Sequence, residues 1–279
     1  MTYRQLPIRI GGRGEGPGRF WRTLRGLDVD RQNRLLAAGD SQIQVFAPGD
    51  GRLLARWSTE RPVYSVAVAP DGAVYAGEAG QVEIFRNGRL VGKWTDPVLL
   101  GRISAIGFGG ASEVLVADAK DRCIRRYDAR TGKWIANIGK NTRLGGFAVP
   151  NGVVDFGVDT ATGMIHVANP GKHRVEQYTA DDKLLGHIGR FDGNDPAGFT
   201  GCCNPTNVTV APNGNIYTTE KAGPRVKVYR RDGTLRAVIA GETAFDENCK
   251  NMDVAVDARG RVYVTDTVRL EILAFEEMS

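Results

Sequence analysis

The stretch whose reading decides the fold is Phe199–Leu235, FTGCCNPTNVTVAPNGNIYTTEKAGPRVKVYRRDGTL. Asn207–Val210 alternates apolar and polar residues with the period of two expected of a half-buried strand. Pro212-Asn213-Gly214 follows as a turn, because proline presets φ and asparagine or glycine accepts a positive φ. Ile216–Thr219 reads as a second strand ending at Glu220, and Arg225–Tyr229 as a third. After an Asp232-Gly233 turn, Leu235–Ile239 reads as a fourth. Two adjacent cysteines, Cys202 and Cys203, open the stretch.

The same frame recurs on both sides of it. Gly26–Asp40 leads into Gln42–Phe46 and Leu53–Trp57; Ser65–Glu78 leads into Gln81–Phe85 and Leu90–Trp94. Ala105–Asp118 leads into Cys123–Tyr127 and Trp134–Ile138, and Asp155–Asn169 leads into Arg174–Tyr178 and Leu184–Ile188. Asp253–Asp266 leads into Leu270–Phe275, a unit without a fourth strand. The missing strand stands at the other end of the chain, where Leu6-Pro7-Ile8-Arg9-Ile10-Gly11 resembles the fourth strand Leu184–Gly189. Four strands per unit at a period of roughly 40–45 residues mean propeller blades. The sequence therefore predicts an all-β, six-bladed β-propeller of four-stranded antiparallel blades over 1–279. Its ring is closed by the N-terminal strand, which leaves no open sheet edge.

Composition agrees. Of 279 residues, 42% are hydrophobic and 25% charged, the balance of an ordinary soluble globular protein. The 36 glycines favour many short strands over long helices. A net charge of +5 favours acidic partners without calling for nucleic acid, and no basic run is interleaved with aromatics as a nucleic-acid surface requires. No window approaches the roughly 18 apolar residues of a membrane span. MTYRQLPIRIGG has no apolar signal core, which reads as a cytosolic or already processed chain.

The linker Gly11–Phe20, the Ala117-Asp118 strand end, Arg174–Tyr178, Arg225–Tyr229 and the Asp232–Leu235 turn resemble the NHL-repeat family, and the resemblance covers essentially the whole chain. It implies a six-bladed propeller. It says little about activity, because propellers of this kind serve as binding platforms, lyases and hydrolases alike.

Repeat position predicts which residues meet. At the channel mouth, the starts of the first strands carry Gly26, Ser65, Ala105, Asp155, Asn207 and Asp253: three small residues, then three oxygen donors. The second strands end at Asp40, Glu78, Asp118, Asn169, Glu220 and Asp266, which suit acceptors for turn N–H groups. Asp155, Asn207 and Asp253 also offer oxygen ligands for a divalent cation. Cys202, Cys203 and Cys249 lie in links on the same face. They suit packed thiols, an interblade disulfide or a thiolate-bound metal. Lys221, Arg225, Lys250 and Arg269 form a basic rim. Trp57, Trp94 and Trp134 fall on fourth strands, where packing between blades accounts for them.

Two functions follow from this pattern. The first is a non-catalytic binding or assembly propeller for a protein partner or small anionic ligand. It uses a face built from Asn207, Glu220, Lys221, Arg225, Lys250, Asp253 and Asp266, with the cysteines adding redox sensitivity or an electron-transfer connection. The second is a metal-dependent hydrolase or lyase of the lactonase type, with Asp155, Asn207, Glu220 and Asp253 around a channel cation.

Overall fold

A computed structural model of the chain describes residues 2–110 and 112–278. Met1, Ala111 and Ser279 of the expected 1–279 domain lie outside the described residues. The chain forms a six-bladed β-propeller of antiparallel blades. Blade five, built from the stretch quoted first, runs Asn207–Val210, Ile216–Glu220, Arg225–Tyr229 and Leu235–Ala240 from the channel outward. The first strands of successive blades neighbour one another around the axis. Their approach is close enough that a Cβ on Gly157 would lie 2.7 Å from the Val210 nitrogen. No described helix is long and apolar enough to cross a membrane.

The ring closes through the N-terminus, with one difference from the sequence expectation. Glu271–Glu277, the third strand of blade six, pairs with two short segments, Tyr3–Gln5 and Ile10–Gly11. The closing strand thus begins at Tyr3 rather than Leu6 and is interrupted around Pro7. Proline lacks the N–H that a continuous ladder needs. Ile10 is 1% exposed and packs against blade one, where a Cβ on Gly51 would fall 2.6 Å from it.

A small motif repeats at the end of several fourth strands. Gly139 and Gly189 take φ of +79° and +80°, and a Cβ there would sit 2.1 Å from the Phe147 ring and 2.3 Å from the Phe199 ring. Only glycine combines the left-handed backbone with that clearance. Each phenylalanine is fully buried and anchors the link into the next blade. This accounts physically for a glycine opening and a phenylalanine closing these linkers.

Three links are also clamped by a buried polar residue at the third position of a third strand: Gln44 in blade one, Glu83 in blade two and Lys227 in blade five. Gln44 accepts from the Gly18 N–H at 2.7 Å and donates to the Arg19 carbonyl at 2.7 Å. In blade five the same position is Lys227, which is 0% exposed. Its Nζ meets Glu220 at 2.9 Å and the Pro196 carbonyl at 3.1 Å, and it lies 4.3 Å from the centre of the Phe199 ring. Burial pulls the lysine pKa down and Glu220 pulls it back up. Replacing Lys227 with Met strands part of a buried carboxylate and two carbonyls. The expected loss is about 3 kcal/mol, or ~6–12 °C in melting temperature, and chemical denaturation of the variant measures it.

Two of the three tryptophans on fourth strands pack as expected. Trp57 meets Phe85 of the next blade at 5.9 Å between ring centres, and Trp94 meets Tyr127 of the next blade at 5.9 Å. Trp134 does not: it is 48% exposed, and its indole N–H donates to Asn137.

Candidate functional site: the channel and its top-face mouth

Strand alternation points every second side chain of the first strands into the channel. Several of these, together with Asp253 just before the first strand of blade six and one second-strand side chain, bind the next blade. Asp253 accepts from the Leu27 N–H at 2.6 Å, carrying blade six to blade one. Asp28 accepts from Val68 at 2.6 Å, and the Ser65 hydroxyl donates to the Ile103 carbonyl at 3.1 Å. The Ser104 hydroxyl donates to the Val154 carbonyl at 2.6 Å, Asp155 accepts from Val208 at 2.7 Å, and the Thr219 hydroxyl donates to the Met252 carbonyl at 2.6 Å. All six blade junctions are therefore tied by one side chain reaching forward to its neighbour's backbone. Asp155 and Asp253 have this structural work whatever else they do.

Three carboxyls of this collar share a channel of about 780 Å³. Burial pushes Asp28 up to about 6 and Asp253 up to about 7, the latter helped by the negative charge of Asp28. Asp155 is also raised, first by burial and then by Asp253. The backbone N–H bonds to all three oppose the shift without cancelling it. In the unfolded chain such carboxyls lose their protons near the ordinary value of 3.8. The folded protein holds those protons to higher pH. Its stabilisation from them is complete below pH ~4 and is lost as pH rises through 6 and 7. Glu78, raised by burial to about 8, acts in the same sense. His166, drawn down by burial to about 4, acts oppositely, but only below its ordinary 6.5. The melting temperature should therefore fall between pH ~6 and ~8.5, which calorimetry across that range checks. A flat or rising profile would contradict it.

Above the carboxyls, the links entering the first strands build a cleft of about 180 Å³ on the top face. Blades one to three contribute Arg22, Arg25, Tyr64, Arg102 and Ser104; Asn207, Lys250 and Asn251 face them from blades five and six. The Arg25 and Arg102 guanidiniums lie 5.1 and 5.8 Å from the centre of the Tyr64 ring, so one aromatic ring serves two cations. Arg102 also donates to the Gly152 carbonyl. Among the described residues none of Arg22, Arg25, Arg102 and Lys250 is ion-paired to a carboxylate. The Arg25 pKa is drawn down, first by desolvation and further by the Arg102 charge. Asn207 is 4% exposed, and its side-chain oxygen has no hydrogen-bond partner. Asn151 donates to Asn251 at 2.8 Å on the same rim and leaves its own oxygen unpartnered.

The residues singled out from sequence separate into two groups. Asn207 and Lys250 line the cleft, and Asp155 and Asp253 lie in the channel below it. The others serve the scaffold of blades five and six. Glu220 is neutralised by Lys227 and Arg225, and Arg225 also reaches the Thr200 hydroxyl at 2.9 Å. Asp266 accepts from the Asp246, Val268 and Arg269 N–H groups and from the Cys249 thiol at 3.2 Å. Lys221 is half-buried, its backbone tied to the Asn204 side chain. All four cysteines are free thiols, and no disulfide ties Cys202 or Cys203 to Cys249. Among the described residues no group of three or more His, Cys, Asp and Glu side chains lies close enough to hold a metal ion.

Arg25, Tyr64, Arg102 and Asp28 are absent from the sequence-derived set. Arg25 and Tyr64 stand one residue before Gly26 and Ser65, so reading one position earlier would have found them. Arg102 lies beside a register irregularity between Ile103 and Ala105, which offsets blade three from the repeat.

Comparisons with known proteins follow the fold and go little further. A solved structure described as a streptogramin B lyase superposes with a TM-score of 0.60 at 12% identity, covering 91% of this chain and 78% of that one. That likeness shows the propeller fold alone. Among curated proteins, eukaryotic translation initiation factor 3 subunit I of Scheffersomyces stipitis is 23% identical over 158 residues, and the Candida albicans protein of the same name matches equally. The match takes in 50% of this chain and spans 44% of the length of those relatives. No family model matches the chain.

Proposed function

We propose that this protein is a non-catalytic binding propeller that takes an anionic head group in the top-face mouth of its channel. The observation that carries the reading is the convergence of Arg22, Arg25, Arg102 and Lys250, none paired to a carboxylate, on one cleft. Guanidiniums held by an aromatic ring are well placed for charge-assisted bonds to carboxylate or phosphate oxygens. At about 180 Å³ the cleft is smaller than the ~300–1,000 Å³ of sites for drug-sized ligands, which suits a head group rather than a large molecule. An acidic protein surface is the second class of partner that fits the same cations.

The metal-dependent hydrolase or lyase reading is less well supported. It needs Asp155, Asn207, Glu220 and Asp253 as ligands. Asp155 and Asp253 each give an oxygen to a backbone N–H of the neighbouring blade, and Glu220 is already bound by two cations. Titration calorimetry with inorganic phosphate, pyrophosphate and citrate at low salt tests the binding reading. Binding by at least one anion, weakening as salt rises, is expected; no binding by any would refute it.

A further inference from the structure

We infer that Cys202 and Cys203 form a reversible redox pair, closing on each other into a vicinal disulfide when a low-molecular-weight disulfide is the oxidant. This goes beyond ligand binding at the mouth and does not depend on it. Of the four cysteines, Cys202 alone is exposed; Cys123, Cys203 and Cys249 are buried. The Cys249 thiol is engaged with Asp266. The Cys123 thiol is pushed up by burial to about 11 in blade three, so it is a poor nucleophile. Chemistry therefore enters at Cys202.

What meets it there is Cys203. Cys203 is the next residue in the chain and is 5% exposed, and the Lys221 charge favours its thiolate against the burial that raises it. Cys203 holds φ at +72°, a left-handed backbone that non-glycine residues adopt only when their surroundings impose it. The surroundings are visible. Asn204, 0% exposed, donates to the Thr200 and Lys221 carbonyls at 2.7 and 2.9 Å and accepts from the Lys221 N–H at 2.8 Å. That clamp holds the backbone of the pair in one turn.

The exchange balances in two steps. The Cys202 thiolate attacks one sulfur of the small disulfide, forming a mixed disulfide and releasing one small thiol. The Cys203 sulfur, giving up its proton, then attacks the Cys202 sulfur and releases the second. Two protein thiols are oxidised and one small disulfide is reduced to two thiols. Adjacent Cα atoms lie ~3.8 Å apart, below the usual disulfide span, so the closed ring is strained and readily reopened by added thiol.

The test incubates the folded, reduced protein with bis(2-hydroxyethyl) disulfide and maps the products by peptide mass. The expected wild-type product is the peptide holding Cys202 and Cys203 lacking two hydrogens, with two small thiols released per chain and reversal by dithiothreitol. Cys203→Ser should stop at a mixed disulfide on Cys202, and Cys249→Ser should close as the wild type does. A mixed disulfide that persists on wild-type Cys202, a link to Cys249, or no reaction at Cys202 would each overturn the inference.

Discussion

Removing residues 1–11 is expected to abolish cooperative folding. The deletion takes away both segments that pair with Glu271–Glu277 and leaves that strand as an open edge of sequence EILAFEE. It also removes Ile10 from a core shared with Phe20, Leu27, Tyr263 and Ile272, along with the partly buried Leu6 and Ile8 packed there and Tyr3 beside blade six. Each fully buried aliphatic side chain stabilises by ~1.5–3 kcal/mol, and lost ladder bonds add ~1 kcal/mol each. The sum is comparable with the ~5–15 kcal/mol by which a folded domain is stable. Blades one and six would also lose the strand that spans their junction, so the damage is not confined to one blade. Circular dichroism melting of the truncated chain should show a broad or absent transition, with aggregation through the exposed edge. A transition at the wild-type temperature would refute closure by the N-terminus.

The second large effect is expected at the mouth. Arg25→Ala with Arg102→Ala removes both guanidiniums that flank Tyr64, while leaving the blade-to-blade collar of Asp28, Ser65, Ser104, Asp155, Thr219 and Asp253 in place. Hydrogen bonds to charged groups contribute ~1.5–3 kcal/mol each. Losing two corresponds to a ~100-fold or greater fall in affinity for an anion. Stability should move little, because neither arginine is paired to a carboxylate among the described residues and the Arg102 bond to the Gly152 carbonyl is an exposed one. Removing two like charges around one ring even relieves some repulsion. Affinity and stability thus separate in this variant, whereas Lys227→Met is expected to lower stability first.

The fold was legible because its punctuation is chemical. Turns such as Pro212-Asn213-Gly214, and the glycine–phenylalanine pairs that anchor the links, are dictated by backbone geometry and recur with the blades. The closing strand was legible from Leu6–Gly11, but its true start at Tyr3 was hidden by Pro7, which breaks the ladder between two paired segments. The site was only partly legible. Reading one register position per blade found Asp155, Asn207 and Asp253, and the two acids among them are also interblade fasteners. It passed over Arg25 and Tyr64, which lie one residue earlier, and Asp28, which lies two residues after Gly26 on the same face of its strand. Arg102 depends on a register irregularity that no repeat spacing announces. Glu220, Arg225 and Asp266 looked functional because they are charged and aligned. Their partners, Lys227 and the N–H groups of links and turns, become apparent only when neighbouring segments are folded together.

The most direct measurement of the central claim is a calorimetric titration of phosphate, pyrophosphate and citrate into the wild type and the Arg25→Ala, Arg102→Ala variant under identical low-salt conditions. The expected result is salt-sensitive binding by the wild type to at least one of these anions, and its loss in the variant with the melting temperature nearly unchanged. Equal affinity in the two proteins would place any anion elsewhere and contradict the assignment of the top-face mouth.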